Sequence, residues 1–187
     1  VPLRPGEESL RSGGNWLVGE DYYGLTRNYR DSFFRLQVHP VYKVGWETEE
    51  FQRFLETGVR SIDPNDPRLV KMRNRKENGR ASQRVYVITP PLTDYQRFVF
   101  AYYHHSAEAG EDLRILDLSR TANPGLPDYD FILLDAQTVI KLHYQADGTY
   151  LGRELLPEAD PAGYMRYKEV AVAHSMPFLE YEKLISD

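Results

Sequence analysis

The chain has 187 residues, a net charge of −5, 41% hydrophobic and 27% charged residues, and no cysteine. That length suits one good-sized domain, and the composition excludes collagen-like, coiled-coil and disordered chains. The lack of cysteine excludes disulfides, thiolate nucleophiles, and cysteine-ligated zinc or iron–sulfur sites.

Residues 1–19 hold Pro2, Pro5, Gly6, Gly13, Gly14 and Gly19 and read as an extended arm. Arg4, Glu7, Glu8, Arg11 and Glu20 interrupt any apolar run there, so no targeting segment is expected. The longest uncharged stretch near the middle, 98–107, is too short to span a bilayer. A soluble, cytoplasmic protein follows from these two readings.

Tyr22, Tyr23, Tyr29 and Phe33 recur at roughly helical spacing, which predicts a helix over 21–31 with Gly24 as its weak point. Residues 34–38 alternate like a strand, and 41–44 continue the pattern beyond Pro40, which suggests an edge or a bulge. Thr48 opens a helix whose first turn carries Glu49 and Glu50, favoured by the helix dipole. Phe51, Phe54 and Leu55 form its stripe, and Gly58 ends it. A turn-rich linker, 61–67, leads to a helix from Pro67 that Asn78-Gly79 closes.

The second half is more regular. Residues 84–88 read as a buried strand. After Pro90-Pro91, Thr93 and Gln96 form a capping box for a helix over 94–109 that ends at Gly110. Residues 113–116 are the next strand, so the order is βαβ, a parallel pair with a crossover. Strands follow over 130–134, 139–144 and 149–155, the last two joined at Asp147-Gly148. A helix over 161–173 and a short final helix opened by Pro177 complete the chain. The resulting organisation is an arm, 1–19, and one compact α/β domain, 20–187. Within it an N-terminal α/β extension, 20–82, precedes a βαβ-plus-hairpin core, 83–187.

Charge is unevenly spread. Between residues 68 and 84, seven basic side chains face Glu77 alone, a local +6 that leaves −11 elsewhere. Arg68, Lys71, Arg73, Arg75, Lys76 and Arg80 form a candidate basic patch for phosphates or an acidic protein. With no aromatic residue interleaved, it does not read as a stacking platform. There is no glycine-rich phosphate loop, nucleophile elbow or His-Glu-x-x-His helix. No cofactor and no metal site are expected.

Ligands of α/β folds bind beyond the carboxyl ends of parallel strands. That places Asp94, Tyr95 and Arg97 as candidate ligand-binding residues, with Glu111, Asp128 and Asp130 as carboxylates for a common cleft. Asp128, Asp130 and Asp135 could also hold a hard cation, although such residues more often end strands and cap turns. Tyr22, Tyr23 and Trp46 are candidate interface residues, because aromatic side chains dominate interface hot spots.

Several segments carry a resemblance. They are Ser32-Phe33-Phe34-Arg35-Leu36, Tyr42-Lys43-Val44, Glu50-Phe51 through Phe54-Leu55, the run 91–97, 109–112, 128–131 with Leu134-Asp135, and Asp147-Gly148. In order and spacing they resemble an actinobacterial family of unassigned function across about residues 22–183. Its members are often encoded beside helix-turn-helix regulators, which implies a regulatory or adaptor role. The glycine-rich start and the basic insertion between Gly58 and Arg84 depart from that family. More remotely, the second half resembles one half of the phospholipase D fold, which implies a mixed sheet with flanking helices. The fold's His-x-Lys-x-x-x-x-Asp spacing can be laid on 128–135, where Asp135 matches but Asp128 replaces the nucleophilic His and Asp130 the Lys. Two carboxylates there would repel a phosphate, so the resemblance implies a fold kept without its phosphodiester chemistry.

Three functions remain open. The first is a non-catalytic regulatory or interaction protein, partnering a helix-turn-helix transcription regulator. The second is a small-molecule or nucleotide-binding enzyme with a carboxylate-rich site at the strand ends. The third is a nucleic-acid binder acting through 68–84.

Overall fold

The computed structural model describes residues 15–186. The arm expected over 1–19 lies outside this range up to residue 14. Among the described residues the chain forms a seven-stranded mixed sheet and six α-helices in the order α1 (Glu20–Asn28), β1 (Ser32–Gln37), α2 (Thr48–Thr57), α3 (Pro67–Glu77), β2 (Ala81–Ile88), α4 (Asp94–Glu108), β3 (Asp112–Asp117), β4 (Asp130–Leu134), β5 (Thr138–Tyr144), β6 (Tyr150–Leu155), α5 (Pro161–Ala173), β7 (Met176–Pro177) and α6 (Phe178–Ser186). A 3₁₀ turn, Gly45–Glu47, leads into α2.

The strand order is β6-β5-β4-β1-β2-β3-β7. β1, β2 and β3 are parallel, and β4 lies antiparallel against β1. β1 therefore sits inside the sheet, and residues 20–82 contribute its central strand as well as three helices. Both parallel crossovers step the same way along the sheet, which places their helices on one face. On that face Tyr86, Ile88, Leu113 and Ile115 meet Leu69 of α3, Phe98 and Tyr102 of α4, and Phe178 and Tyr181 of α6. On the other face Phe34, Leu36, Val85, Leu116, Phe131 and Leu133 pack beneath α5, with Ala171 at the centre of its contact. Alternation along β1 sends Phe34 and Leu36 to the α5 side and Phe33, Arg35 and Gln37 to the side of the crossovers.

Local signals account for most boundaries. The Thr93 hydroxyl accepts from the Gln96 N–H (3.1 Å), and the Gln96 carboxamide accepts from the Thr93 N–H (2.9 Å). The same hydroxyl donates to the Pro40 carbonyl (2.9 Å), tying the start of α4 to the exit of β1. Asp66 caps α3, and Asp160 caps α5 through two N–H groups. Gly58 ends α2 in the left-handed conformation, φ 70°. At the β5–β6 turn Gly148 has φ 83°, and a Cβ there would lie 2.3 Å from the Val41 carbonyl oxygen, so only glycine lets the two backbones meet.

Four expectations are corrected. Helix α1 stops at Asn28, because Tyr29 is already extended (φ −58°, ψ 146°) and enters the core. Residues 41–44 form no strand: only Lys43 bridges to Thr149, and Tyr42 turns inward. β2 begins three residues early, at Ala81, paired with Ser32 of β1. Pro177 does not open α6 but belongs to the two-residue β7 against β3. Among the described residues no helix is long and apolar enough to cross a membrane.

Helix α6 docks on α4 partly through an imidazole. His104 Nδ1 lies 2.7 Å from the Glu182 carboxylate, and its Nε2 lies 3.5 Å from Glu108. The Glu182 hydrogen bond raises the His104 pKa above its ordinary 6.5, against the smaller opposing effect of burial. A group whose folded pKa is raised stabilises fully below its unfolded pKa and loses that contribution as pH rises through the folded value. Thermal melts from pH 6 to 8.5 should therefore show a stability increment that declines with rising pH. In a Glu182→Gln variant that decline should shrink, and an unchanged pH profile would rule the contact out as its source.

Candidate functional site

The sheet face beneath the crossover helices is interrupted by a buried polar row. Arg35 of β1 and Arg84 of β2 are register partners on adjacent strands, so two guanidiniums lie side by side in the middle of the sheet. Each has its own carboxylate. Asp130, the first residue of β4, is completely buried and sits 3.0 Å from Arg35 Nη2. Glu111, just before β3, is 3.0 Å from Arg84, with its side chain 1% exposed.

Asp130 has three donors. Its carboxylate accepts from Arg35, from the Val38 backbone N–H (2.9 Å) and from the Tyr42 hydroxyl, which reaches both oxygens at 3.0 and 2.9 Å. Tyr42 in turn accepts from the His39 N–H (3.2 Å), and Arg35 donates to the Tyr144 hydroxyl (3.3 Å). Burial and the Asp130 charge hold the Tyr42 pKa well above its ordinary value, so its proton stays in the network. Burial pushes Tyr144 up to about 12. Arg35 also lies well above its ordinary value: burial opposes its charge, but Tyr144, Asp130 and Tyr42 more than offset this.

The second half of the row joins three elements. Arg84 donates to Glu111 (3.0 Å), to Gln37 (3.1 Å) and to the Tyr103 hydroxyl (3.3 Å), and that hydroxyl donates to Gln37 (2.8 Å). Further out, Arg60 has a side chain only 3% exposed. It donates to the Phe98 carbonyl (3.1 Å) and to Glu50 (3.0 Å), and lies 3.7 Å above the Phe98 ring. Tyr95 donates to Glu47 (2.9 Å); burial raises the Glu47 pKa, with this hydrogen bond and Arg60 opposing the rise.

The six candidate ligand residues do not share a cleft. Asp94 and Arg97 form an exposed pair on the first turn of α4 (3.1 Å), whereas Glu111 lies past the other end of that helix. At 1.5 Å per residue, α4 separates the two by roughly 22 Å. Tyr95 points inward to Glu47, Asp128 is exposed, and Asp130 is sealed beneath Tyr42. Asp130 and Asp135 stand at opposite ends of β4. Asp135 instead receives the N–H groups of Arg30, Asp31 and Ser32 (2.8, 2.8 and 3.0 Å). Burial opposes the Asp135 charge, but these donors hold its pKa below the ordinary value. Among the described residues no group of three or more His, Asp or Glu is placed to hold a metal ion. A shallow depression of about 390 Å³ is lined by Asn15, residues 154–159 and Tyr164, none of them a candidate.

Much of the basic patch is engaged internally. Arg75 and Arg80 donate to the Thr26 and Arg27 carbonyls (2.8 and 2.9 Å) at the end of α1. Cations favour that end of a helix, where its last carbonyls lack partners. Their guanidiniums also flank the Tyr29 ring at 5.0 and 4.5 Å. Arg73 donates to the Pro64 carbonyl, and Arg68 pairs with Asp66. Lys71 and Lys76 face solvent.

Of the candidate interface residues, Tyr22 is half-buried, with Arg153 stacked 3.7 Å from its ring. Tyr23 and Trp46 are 49% and 59% exposed. Sequence reasoning missed Arg35, Tyr42, Gln37, Arg84, Tyr103 and Tyr144. The available signal was an arginine on each of two strands that carry Phe33, Tyr86 and Ile88 on the same side.

The family model of a domain of unknown function, DUF6879, matches residues 20–183. The chain belongs to this family. The match spans all seven strands and the helices up to residue 183 within α6, so the Arg35–Asp130 row lies within the DUF6879 domain. No curated protein matches the chain.

Removing one partner of a buried ion pair leaves an uncompensated charge, whereas removing both is often tolerated. Asp130→Ala should lower unfolding stability by about 3–5 kcal/mol in urea denaturation. Asp130→Asn, which keeps an acceptor for Val38 and Tyr42, should lose less. Combining Asp130→Leu with Arg35→Met should recover much of the loss, and equal stabilities across the series would contradict the pairing.

Proposed function

We propose that this DUF6879 protein is a non-catalytic regulatory or interaction protein whose partner is a helix-turn-helix transcription regulator. The observation that carries this reading is the engagement of its central charges. The carboxylate of Asp130 already accepts from three donors, and Glu111 is held by Arg84. General base catalysis needs a carboxylate within reach of a substrate proton, and these two are closed off by protein groups. In contrast, four large apolar side chains of the β1–β2 crossover face solvent: Trp46, Leu55, Val59 and Val70. All four lie on the connection between β1 and β2, and apolar surface left to solvent serves interaction rather than catalysis.

The choice of partner rests on the resemblance to an actinobacterial family often encoded beside such regulators. A cytoplasmic location goes with that partner. The mixed sheet is compatible with a phospholipase D-like half that lacks the His and Lys of its motif. Asp128 and Asp130, at those two positions, would repel a phosphate.

The test is to tag the protein in its native host, capture it with and without nuclease, and identify co-purifying proteins by mass spectrometry. A helix-turn-helix protein retained after nuclease is the expected result. A partner lost with nuclease would mean that nucleic acid bridges the two. Capture of no protein partner would overturn the reading.

A further inference from the structure

We propose that the outer face of α2, with the 3₁₀ turn before it, docks a basic amphipathic helix of the partner protein. The proposal rests on the interaction reading above and specifies its surface and the chemistry of its ligand.

Helix α2 is held to the body by little. None of its residues is fully buried. Phe51 and Phe54 turn inward against Phe98 (ring centroids 5.2 and 5.6 Å), and the remaining side chains face solvent. Three large apolar groups lie on or beside this outer side: Trp46 (59% exposed), Leu55 (46%) and Val59 (65%). Leu55 lies one turn from Phe51 at the edge of the inward stripe, Val59 follows Gly58 just beyond the helix end, and Trp46 is held by Arg68, whose guanidinium stacks 4.5 Å from its ring. A pre-positioned tryptophan loses little side-chain entropy on binding, which suits it as an anchor.

The charges around these groups choose the occupant. Glu49, Glu50 and Glu56 are exposed on α2 against Arg53 alone. Arg60, its side chain 3% exposed, neutralises Glu50 at 3.0 Å, which leaves Glu49 and Glu56 against Arg53 as the charges of this face. Arg68, the other nearby cation, is paired with Asp66. Apolar anchors inside an anionic rim match a helix with apolar residues at i, i+3 and i+4 flanked by lysine or arginine. A DNA-binding regulator carries such cations as a matter of course. An acidic helix or a nucleic acid would be repelled by the same rim.

Two synthetic helical peptides test this. They share one leucine pattern and differ only in lysine or glutamate on the polar face, and each is titrated into the isotopically labelled full chain. The lysine peptide should shift amide resonances of residues 46–59, with an affinity that falls steeply as salt is added. Trp46→Ala should weaken it about thirtyfold, the size of a hot-spot truncation. The double variant Glu49→Gln/Glu56→Gln should weaken it several-fold. Equal binding of the glutamate peptide, no binding of the lysine peptide, or shifts confined to other surfaces would overturn the proposal. Capture from the native host with wild-type and Leu55→Asp chains separates this from the broader reading. If both retain the same regulator, the α2 surface is wrong and the interaction reading stands. If neither retains a partner, the interaction reading itself fails.

Discussion

The Asp130 carboxylate holds three parts of the chain in one place. It is the first residue of β4, it binds Arg35 in β1, and it binds Val38 and Tyr42 in the segment that leaves β1. β4 runs antiparallel to β1, so this contact lies where the parallel half of the sheet meets the antiparallel meander. A fully buried carboxylate is tolerated only when its charge is paired and its lone pairs are filled. Asp130 meets both conditions, and in doing so it fixes the path of 38–44. That path brings Pro40 to the cap of α4 and Val41 to the β5–β6 turn.

Neighbouring choices follow from this constraint. Arg35 could not sit under the crossover helices without Asp130, and its partner in register, Arg84, needs Glu111 for the same reason. The two pairs place four charges in a line across the sheet, and the tyrosines of 42, 103 and 144 hydrogen-bond to them, while Arg35 Nε and Glu111 Oε2 are buried without a hydrogen-bond partner. Buried ion pairs add little net stability compared with a packed apolar core. Their effect is on uniqueness: a shift of β4 by one residue would strand both Arg35 and Asp130. The groups most suited to chemistry are thus engaged in defining the fold, which directs attention to the outer surfaces for function.

The sequence made the regular elements legible where local chemistry decides them. Thr93 with Gln96, Pro67 after Asp66, Gly58 and the Asp147-Gly148 turn each mark a boundary that the structure has. The βαβ unit of β2, α4 and β3 was readable from its order alone. Residues 41–44 were misread as a strand because Tyr42 and Val44 alternate in sequence, while Tyr42 answers to Asp130, 88 residues away. The candidate site was read from proximity in sequence to strand ends. Asp94 and Arg97 do lie at such an end, but α4 carries Glu111 to the opposite end of the parallel strands. The partners of Asp130 and Glu111, at 35 and 84, belong to long-range register, which no local pattern records. The basic segment shows the same limit: two of its arginines cap α1 some 50 residues earlier in the chain.

Native-state hydrogen exchange at the Val38 amide tests most directly whether Asp130 is a structural keystone. That N–H donates to Asp130 at 2.9 Å and lies one residue beyond β1, where a strand end would ordinarily fray. If the Asp130 contact holds the sheet together, Val38 should exchange only through global unfolding, with the same opening free energy as Leu36 inside β1. Exchange through a local opening several kcal/mol below the global value would contradict this, and would mean that the segment over Asp130 opens as a ligand site does.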